Sequence, residues 1–242
     1  MYVAIFLTYC VITILWLLNP YFLMIIPYRS KYLIFVYSIF LYILNCDIKI
    51  HGKPHKKNKT YLILANHYTA LDYFILRWIF PCSYTVVKTD LLTQRKRTSG
   101  GVGLMYMFSS MFFKAAMTIL YKRGDYSSGK ETKEKILECL KHDNVIVFPE
   151  GTSHRDGIPK TFKSVIFELA NEHDIDIIPC SIKYNKDIGL DPPKNGKPDK
   201  LKISDWIGVS AVVKVHDVIH SKTFKDKKEL KEHAFDIIRN SL

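Results

Sequence analysis

The sequence predicts an α/β fold: a mostly parallel sheet flanked by helices, preceded by an N-terminal membrane-embedded hydrophobic helical segment. Three observations carry this. From residue 61 onward, short apolar runs of strand length alternate with stretches of helical spacing, the pattern of a parallel sheet with helices on its faces. Two of those runs end in loops loaded with polar chemistry, NHYTALD at 66–72 and PEGTSHRDG at 149–157. Sheets of this kind gather their sites at the carboxyl ends of strands. Finally, no charged side chain occurs before Arg29.

The chain has 242 residues, 48% of them hydrophobic. That is enough for one sizeable domain with an appendage, and the expected division is a membrane-embedded segment at 1–46 and an α/β domain at 47–242. The formal net charge of +12 suits nucleic acid, an anionic membrane surface or an anionic substrate. Five cysteines are scattered without a C-x-x-C pair, which speaks against a disulfide framework or a zinc site. Inert thiols in a reducing compartment are expected.

Residues 2–18 are almost wholly apolar, Asn19-Pro20 interrupts the run, and YFLMII continues it to Pro27. A second uncharged run covers 32–46. A secretory signal is a poor fit, for lack of a basic leading region and of a small-residue cleavage site. Two core helices are the bland alternative. Membrane insertion fits best: either 1–27 spans once with 32–46 in the interface, or the two form a re-entrant hairpin. The basic stretch KIHGKPHKKNK at 49–59 then reads as a loop attracted to anionic headgroups, or simply as a solvated one.

The globular elements follow in order. YLILA at 61–65 is a buried strand, 70–80 a helix and SYTVVK at 83–88 a strand. The very apolar segment 102–121 reads as a core helix or a second membrane-facing surface. KRGDYSSGK is a polar turn leading to an amphipathic helix at about 130–142. NVIVF at 144–148 is a strand. A helix is expected over 161–173 with Phe162, Val165, Ile166 and Leu169 on its apolar face, then a strand at 176–184. Alternation at Val209, Ala211, Val213 and Val215 marks another strand, and a charged helix covers about 225–240.

The two loops have bland readings as well as chemical ones. Thr69 to Asp72 fits a helix capping box, with Thr69 as N-cap. That would account for Asp72 but not for Asn66-His67 at a strand end. A carboxylate in the first helical turn can also meet a loop histidine and fix its tautomer. In the second loop, Pro149 and Gly151 make a tight turn around Glu150.

Together the blocks carry a resemblance. NHYTALD and FPEGT resemble the N-H-x4-D and F-P-E-G-T blocks of the glycerolipid acyltransferase family, the 1-acylglycerol-3-phosphate acyltransferases. ILYKRGD at 119–125 looks like that family's middle block, an apolar strand ending in arginine, and TFKSVIFELANEHDIDIIPCSI like its helix and closing strand with Pro179. The resemblance spans roughly residues 50–185. It implies that His67 is the general base on a glycerol hydroxyl, with Asp72 orienting and charging it. It implies direct attack on acyl-coenzyme A, with no cofactor, no metal and no covalent nucleophile. It makes Arg123, Glu150, Gly151, Thr152 and the nearby Arg155 the acceptor-binding set, with Arg123 toward the phosphate. The implied partners are acyl-coenzyme A, a lysophospholipid and the membrane, with no nucleic acid. The expected location is a membrane, endoplasmic reticulum in a eukaryote, with the positive-inside tendency of the basic linker placing the catalytic domain on the cytosolic side.

Three positions depart from the family pattern. Ser153 stands where an arginine is usual, Lys163-Ser164-Val165 lacks a glycine, and the middle block has no aspartate before Arg123. They bear on the acceptor more than on the reaction. Glycerol 3-phosphate or a lysophospholipid with a larger headgroup are the alternative acceptors. A non-catalytic lipid-binding protein, a nucleic-acid binder and a metal hydrolase built on His67, Asp72 and Glu150 are the rival classes.

Overall fold

The structure, a computed structural model, describes residues 29–52, 59–88, 117–122, 124–154, 158–189 and 203–242. The expected apolar run at 1–27, most of 102–121, and Arg123 and Arg155 lie outside the described residues.

Among the described residues seven strands form one sheet: β1 (Asp47–His51), β2 (Leu62–Ala65), β3 (Tyr84–Lys88), β4 (Thr118–Tyr121), β5 (Val145–Val147), β6 (Ile177–Tyr184) and β7 (Ser210–Val215). Their order is β1-β7-β6-β2-β5-β3-β4. All neighbours are parallel except β6 and β7. The helices are α1 (Arg29–Ile43), α2 (Leu71–Ile79), α3 (Tyr126–Leu140), α4 (Val165–Glu172) and α5 (Lys227–Arg239).

Strands β2 and β5 are apolar throughout, and β6 is so for its first four residues, because both sheet faces are covered there. Ile63, Ala65, Ile146, Ile178, Cys180 and Ile182 pack with α1 and α2 through Leu41, Leu71 and Ile75. The alternate residues Leu62, Leu64, Val145 and Val147 pack with α3, α4 and α5 through Ile136, Phe167 and Leu230. Burying one such side chain stabilises the fold by about 1.5–3 kcal/mol. Pro179 is tolerated inside β6, where it pairs with Leu64 of β2, because its backbone nitrogen faces a gap in pairing on the β7 side. Ile177 bridges Ile219, and the ladder with β7 resumes at Cys180 opposite Val215, so no neighbour needs the missing N–H.

Several expectations are corrected. The basic stretch after residue 46 is not all loop: Asp47–His51 is an edge strand pairing with β7 in parallel. Its exit turn requires Gly52, at φ +88°, where a Cβ would lie 2.0 Å from the Val215 carbonyl oxygen. The end of the apolar segment 102–121 is strand β4 rather than helix, as the family's middle block implies. Helix α3 begins at Tyr126, four residues early, because Asp125 caps it by accepting from the Ser128 amide at 3.2 Å. Helix α4 begins only at Val165, which is 54% exposed, while Phe162, Ile166 and Leu169 are buried.

Part of the second uncharged run, expected in the membrane interface, forms α1. It packs on α2 through the Phe40 and Phe74 rings, 4.4 Å between centroids, and through Trp78 Nε1, which donates to Ser38 Oγ at 2.9 Å. Its Phe35 and Tyr42 are exposed. Among the described residues no helix is long and apolar enough to cross a membrane.

Candidate active site

Strands β2 and β5 are parallel neighbours, with Leu64 beside Val147. Their carboxyl ends therefore release the two polar loops side by side. Asn66 anchors the first loop. Where β2 stops, its side chain takes over the ladder with β6: Nδ2 donates to the Ile182 carbonyl at 2.9 Å, and Oδ1 accepts from the Ile182 amide at 2.8 Å. The asparagine of the motif is thus a strand extension made by a side chain.

The turn that follows brings His67 against Asp72. Asp72 is fully buried, and its Oδ2 accepts from three groups: His67 Nδ1 at 2.9 Å, the Tyr68 amide at 2.6 Å and the Thr69 amide at 2.9 Å. Oδ1 accepts from the Tyr184 hydroxyl at 2.6 Å. A carboxylate only accepts, so Nδ1 carries the hydrogen, and in the neutral ring the lone pair is then on Nε2. The imidazole stacks on Phe148, 4.2 Å between centroids, and its side chain is 23% exposed.

The capping reading is half right. Asp72 does reach back to the Thr69 amide, but Ala70 is the N-cap, without a side-chain bond, and the Thr69 hydroxyl is buried without a partner among the described residues. Capping and histidine orientation are therefore two tasks of one oxygen.

The second loop closes against the first. Glu150 Oε1 accepts from the His67 amide at 2.8 Å, Oε2 accepts from the Lys160 amide at 3.0 Å, and the His154 amide donates to the His67 carbonyl at 3.1 Å. Gly151, at φ +72°, closes the expected turn with its amide on the Phe148 carbonyl. Burial pushes the Glu150 carboxyl up to about 7 against the pull of those two amides. His154 Nε2 lies 3.2 Å from Thr152 Oγ1 and 3.6 Å from Glu150 Oε2. The oxygens of Asp72 and Glu150 thus face N–H and O–H donors, the reverse of what a cation needs.

The structure brings together His67, Asp72, Glu150, Gly151 and Thr152; Arg123 and Arg155 lie outside the described residues. Reading the sequence missed Tyr184, the task of Asn66 and the place of His154. No local signal marks Tyr184, which meets Asp72 across 112 residues of chain.

This is a histidine–aspartate pair at the carboxyl end of a parallel α/β sheet, an arrangement suited to drawing a proton from a hydroxyl. The chain belongs to the Acyltransferase family, whose model matches residues 47–183. It is 32% identical over 153 residues to a 1-acyl-sn-glycerol-3-phosphate acyltransferase of Saccharomyces cerevisiae, covering 60% of this chain and 46% of that protein. It is 23% identical over 210 residues to one of Borreliella burgdorferi, covering 85% and 74%. The chain spans about half the length of the yeast relative and of one from Limnanthes douglasii. In fold it is similar to the crystal structure of the 1-acyl-sn-glycerophosphate (LPA) acyltransferase PlsC from Thermotoga maritima, with TM-score 0.59, 19% identity, and 94% and 93% of the two chains covered.

Proposed function

We propose that this protein transfers a fatty acyl group from a thioester, acyl-coenzyme A, to the free hydroxyl of 1-acyl-sn-glycerol-3-phosphate, giving phosphatidic acid. The observation that carries the reading is the pairing of His67 Nδ1 with the buried Asp72 at 2.9 Å. His67 Nε2 takes the hydroxyl proton, the oxygen adds to the thioester carbonyl carbon, and the carbon–sulfur bond breaks. The thiolate leaves and is protonated by the imidazolium. Asp72 stabilises that imidazolium as it forms. Holding both substrates in reach supplies much of the remaining rate.

Gly151, Thr152, Arg123 and Arg155 are the proposed acceptor site, since guanidinium groups pair with phosphate oxygens. Glu150 belongs to it as the brace of that loop, both of its oxygens being taken by amides. The exposed Phe35 and Tyr42 of α1 and the uncharged run before Arg29 support membrane attachment. The positive balance suits an anionic leaflet on the cytosolic side.

The test is an acceptor panel with purified protein in detergent. It pairs labelled acyl-coenzyme A or acyl carrier protein with lysophosphatidic acid, glycerol 3-phosphate and lysophosphatidylcholine. Strongest transfer from acyl-coenzyme A to lysophosphatidic acid is expected. A preference for another acceptor or donor would revise the substrate, and transfer to none of them would sink the reading.

A further inference from the structure

The hydrogen bond from Tyr184 to Asp72 has no place in the two sequence blocks. Tyr184 is the last residue of β6 and lies one residue past the segment that the family model matches. Its hydroxyl donates to Asp72 Oδ1 at 2.6 Å, and its ring packs on Tyr68 at 5.4 Å between centroids. The Asn66 side chain holds Ile182, and Tyr184 follows two residues on, on the same face of β6. The clamp that begins the loop therefore also aims this hydroxyl. Burial, together with the neighbouring Asp72 charge, pushes the phenol well above its ordinary range, so it stays a donor at any working pH.

We propose that Tyr184 is a positioning residue of the proton-transfer machinery, acting on His67 through Asp72. It occupies Oδ1, so Oδ2 alone faces the imidazole and the carboxylate cannot turn. It also draws charge away from the carboxylate and so lowers the basicity that Asp72 lends to His67. Among the described residues, the groups facing Asp72 are His67, the Tyr68 and Thr69 amides, Tyr184 and, through space, Glu150. The site is then an asymmetric chain of three side chains, phenol to carboxylate to imidazole, reaching from β6 to His67. This inference rests on the proposed function for its meaning in turnover, but not for its geometry.

The experiment is a titration of His67 by NMR on histidine-labelled full-length protein in detergent, with the resonance assigned by its loss in His67→Ala. Tyr184→Phe keeps the ring and removes the hydroxyl. Concentrating charge on Asp72 should raise the His67 pKa by about 0.5 to 1 pH unit, a fraction of the strength of a charge-assisted hydrogen bond. The acid limb of the kcat profile should move up with it, and turnover at pH 7 should fall several-fold with both KM values within about twofold. Difluorotyrosine placed at 184 keeps the hydroxyl and makes it a stronger donor. It should move the titration the opposite way, and it keeps the test open should the phenylalanine variant fold poorly. A packing role alone would change melting temperature and leave the His67 titration in place; that result in both substituted proteins overturns the assignment. The titration needs no substrate, so absence of acyl transfer would count against the proposed function and leave this inference standing.

Discussion

The amide of His67 donates to Oε1 of Glu150 at 2.8 Å, and the carbonyl of the same residue accepts from the amide of His154. The histidine loop and the glutamate loop are therefore clasped through the backbone of the residue whose side chain is proposed to do the chemistry. A change in one loop should be felt in the other.

Glu150→Gln tests the clasp by pH. The folded carboxyl sits at about 7 against an ordinary 4.5, so between those values the folded state holds more protons than the unfolded one. Stability then falls as pH rises, and the loss is complete above 7. The glutamine carries no such proton. The stability advantage of the wild type over Glu150→Gln should shrink between pH 5 and pH 8 by up to about 3 kcal/mol. Denaturant melts at the two pH values check this; a gap that does not change with pH would mean that Glu150 is not buried as a neutral acid.

Asp72→Asn should damage fold and turnover together. Three donors converge on Oδ2 and one on Oδ1, and an amide group faces at least one of them with hydrogens. A loss of about 1–3 kcal/mol is expected, with severely reduced kcat. His67→Ala leaves three of the four donors in place and should fold nearly normally while losing turnover. The double variant should be no slower than either single one, since the pair acts as a unit. Melting temperature and kcat are measured on the same preparations, and a folded, near-normally active His67→Ala protein would end the mechanism.

Asn66→Ala removes both bonds to Ile182 and leaves a buried amide and carbonyl without partners. The expected cost is about 2–4 kcal/mol, larger than for a typical loop residue. Hydrogen exchange at the Ile182 amide is the local readout; unchanged protection there would show that the clamp is dispensable.

Arg123→Ala should raise KM for the phosphate-bearing acceptor far more than for acyl-coenzyme A, by about 10- to 150-fold if one charge-assisted bond to phosphate is lost. Arg155→Ala, measured beside it, reports whether that arginine does the work of the one absent at Ser153. Equal effects on both substrates would make Arg123 a structural residue.

Legibility in the sequence followed the range of each interaction. His67 and Asp72 are five residues apart, so their meeting is written in a seven-residue motif. Strands β2 and β5 are buried on both faces, which leaves continuous apolar runs. Strand β1 is an edge strand whose five residues include Lys49 and His51 and are mostly exposed, so its composition matches a basic loop. The Asn66–Ile182 and Tyr184–Asp72 bonds join parts of the chain separated by 116 and 112 residues. Only the sheet order reveals them. Val165 departs from the buried stripe expected of it: the chain enters α4 late, held by the Lys163 amide on the Pro149 carbonyl, so Val165 opens the helix exposed while Ile166 and Leu169 face the core.

The place of β1 in the sheet has a consequence during synthesis. Its partner β7 lies about 160 residues further along the chain, so at roughly 5–20 residues per second β1 waits on the order of ten to thirty seconds for a strand to pair with. Throughout that interval the nascent chain carries an open edge next to exposed Phe35 and Tyr42, a combination that invites aggregation. Early contact of the emerging segment with a lipid surface or a chaperone would shield it. Yield in a cell-free system should therefore depend on whether vesicles are present while the chain is made, and far less on vesicles added afterwards.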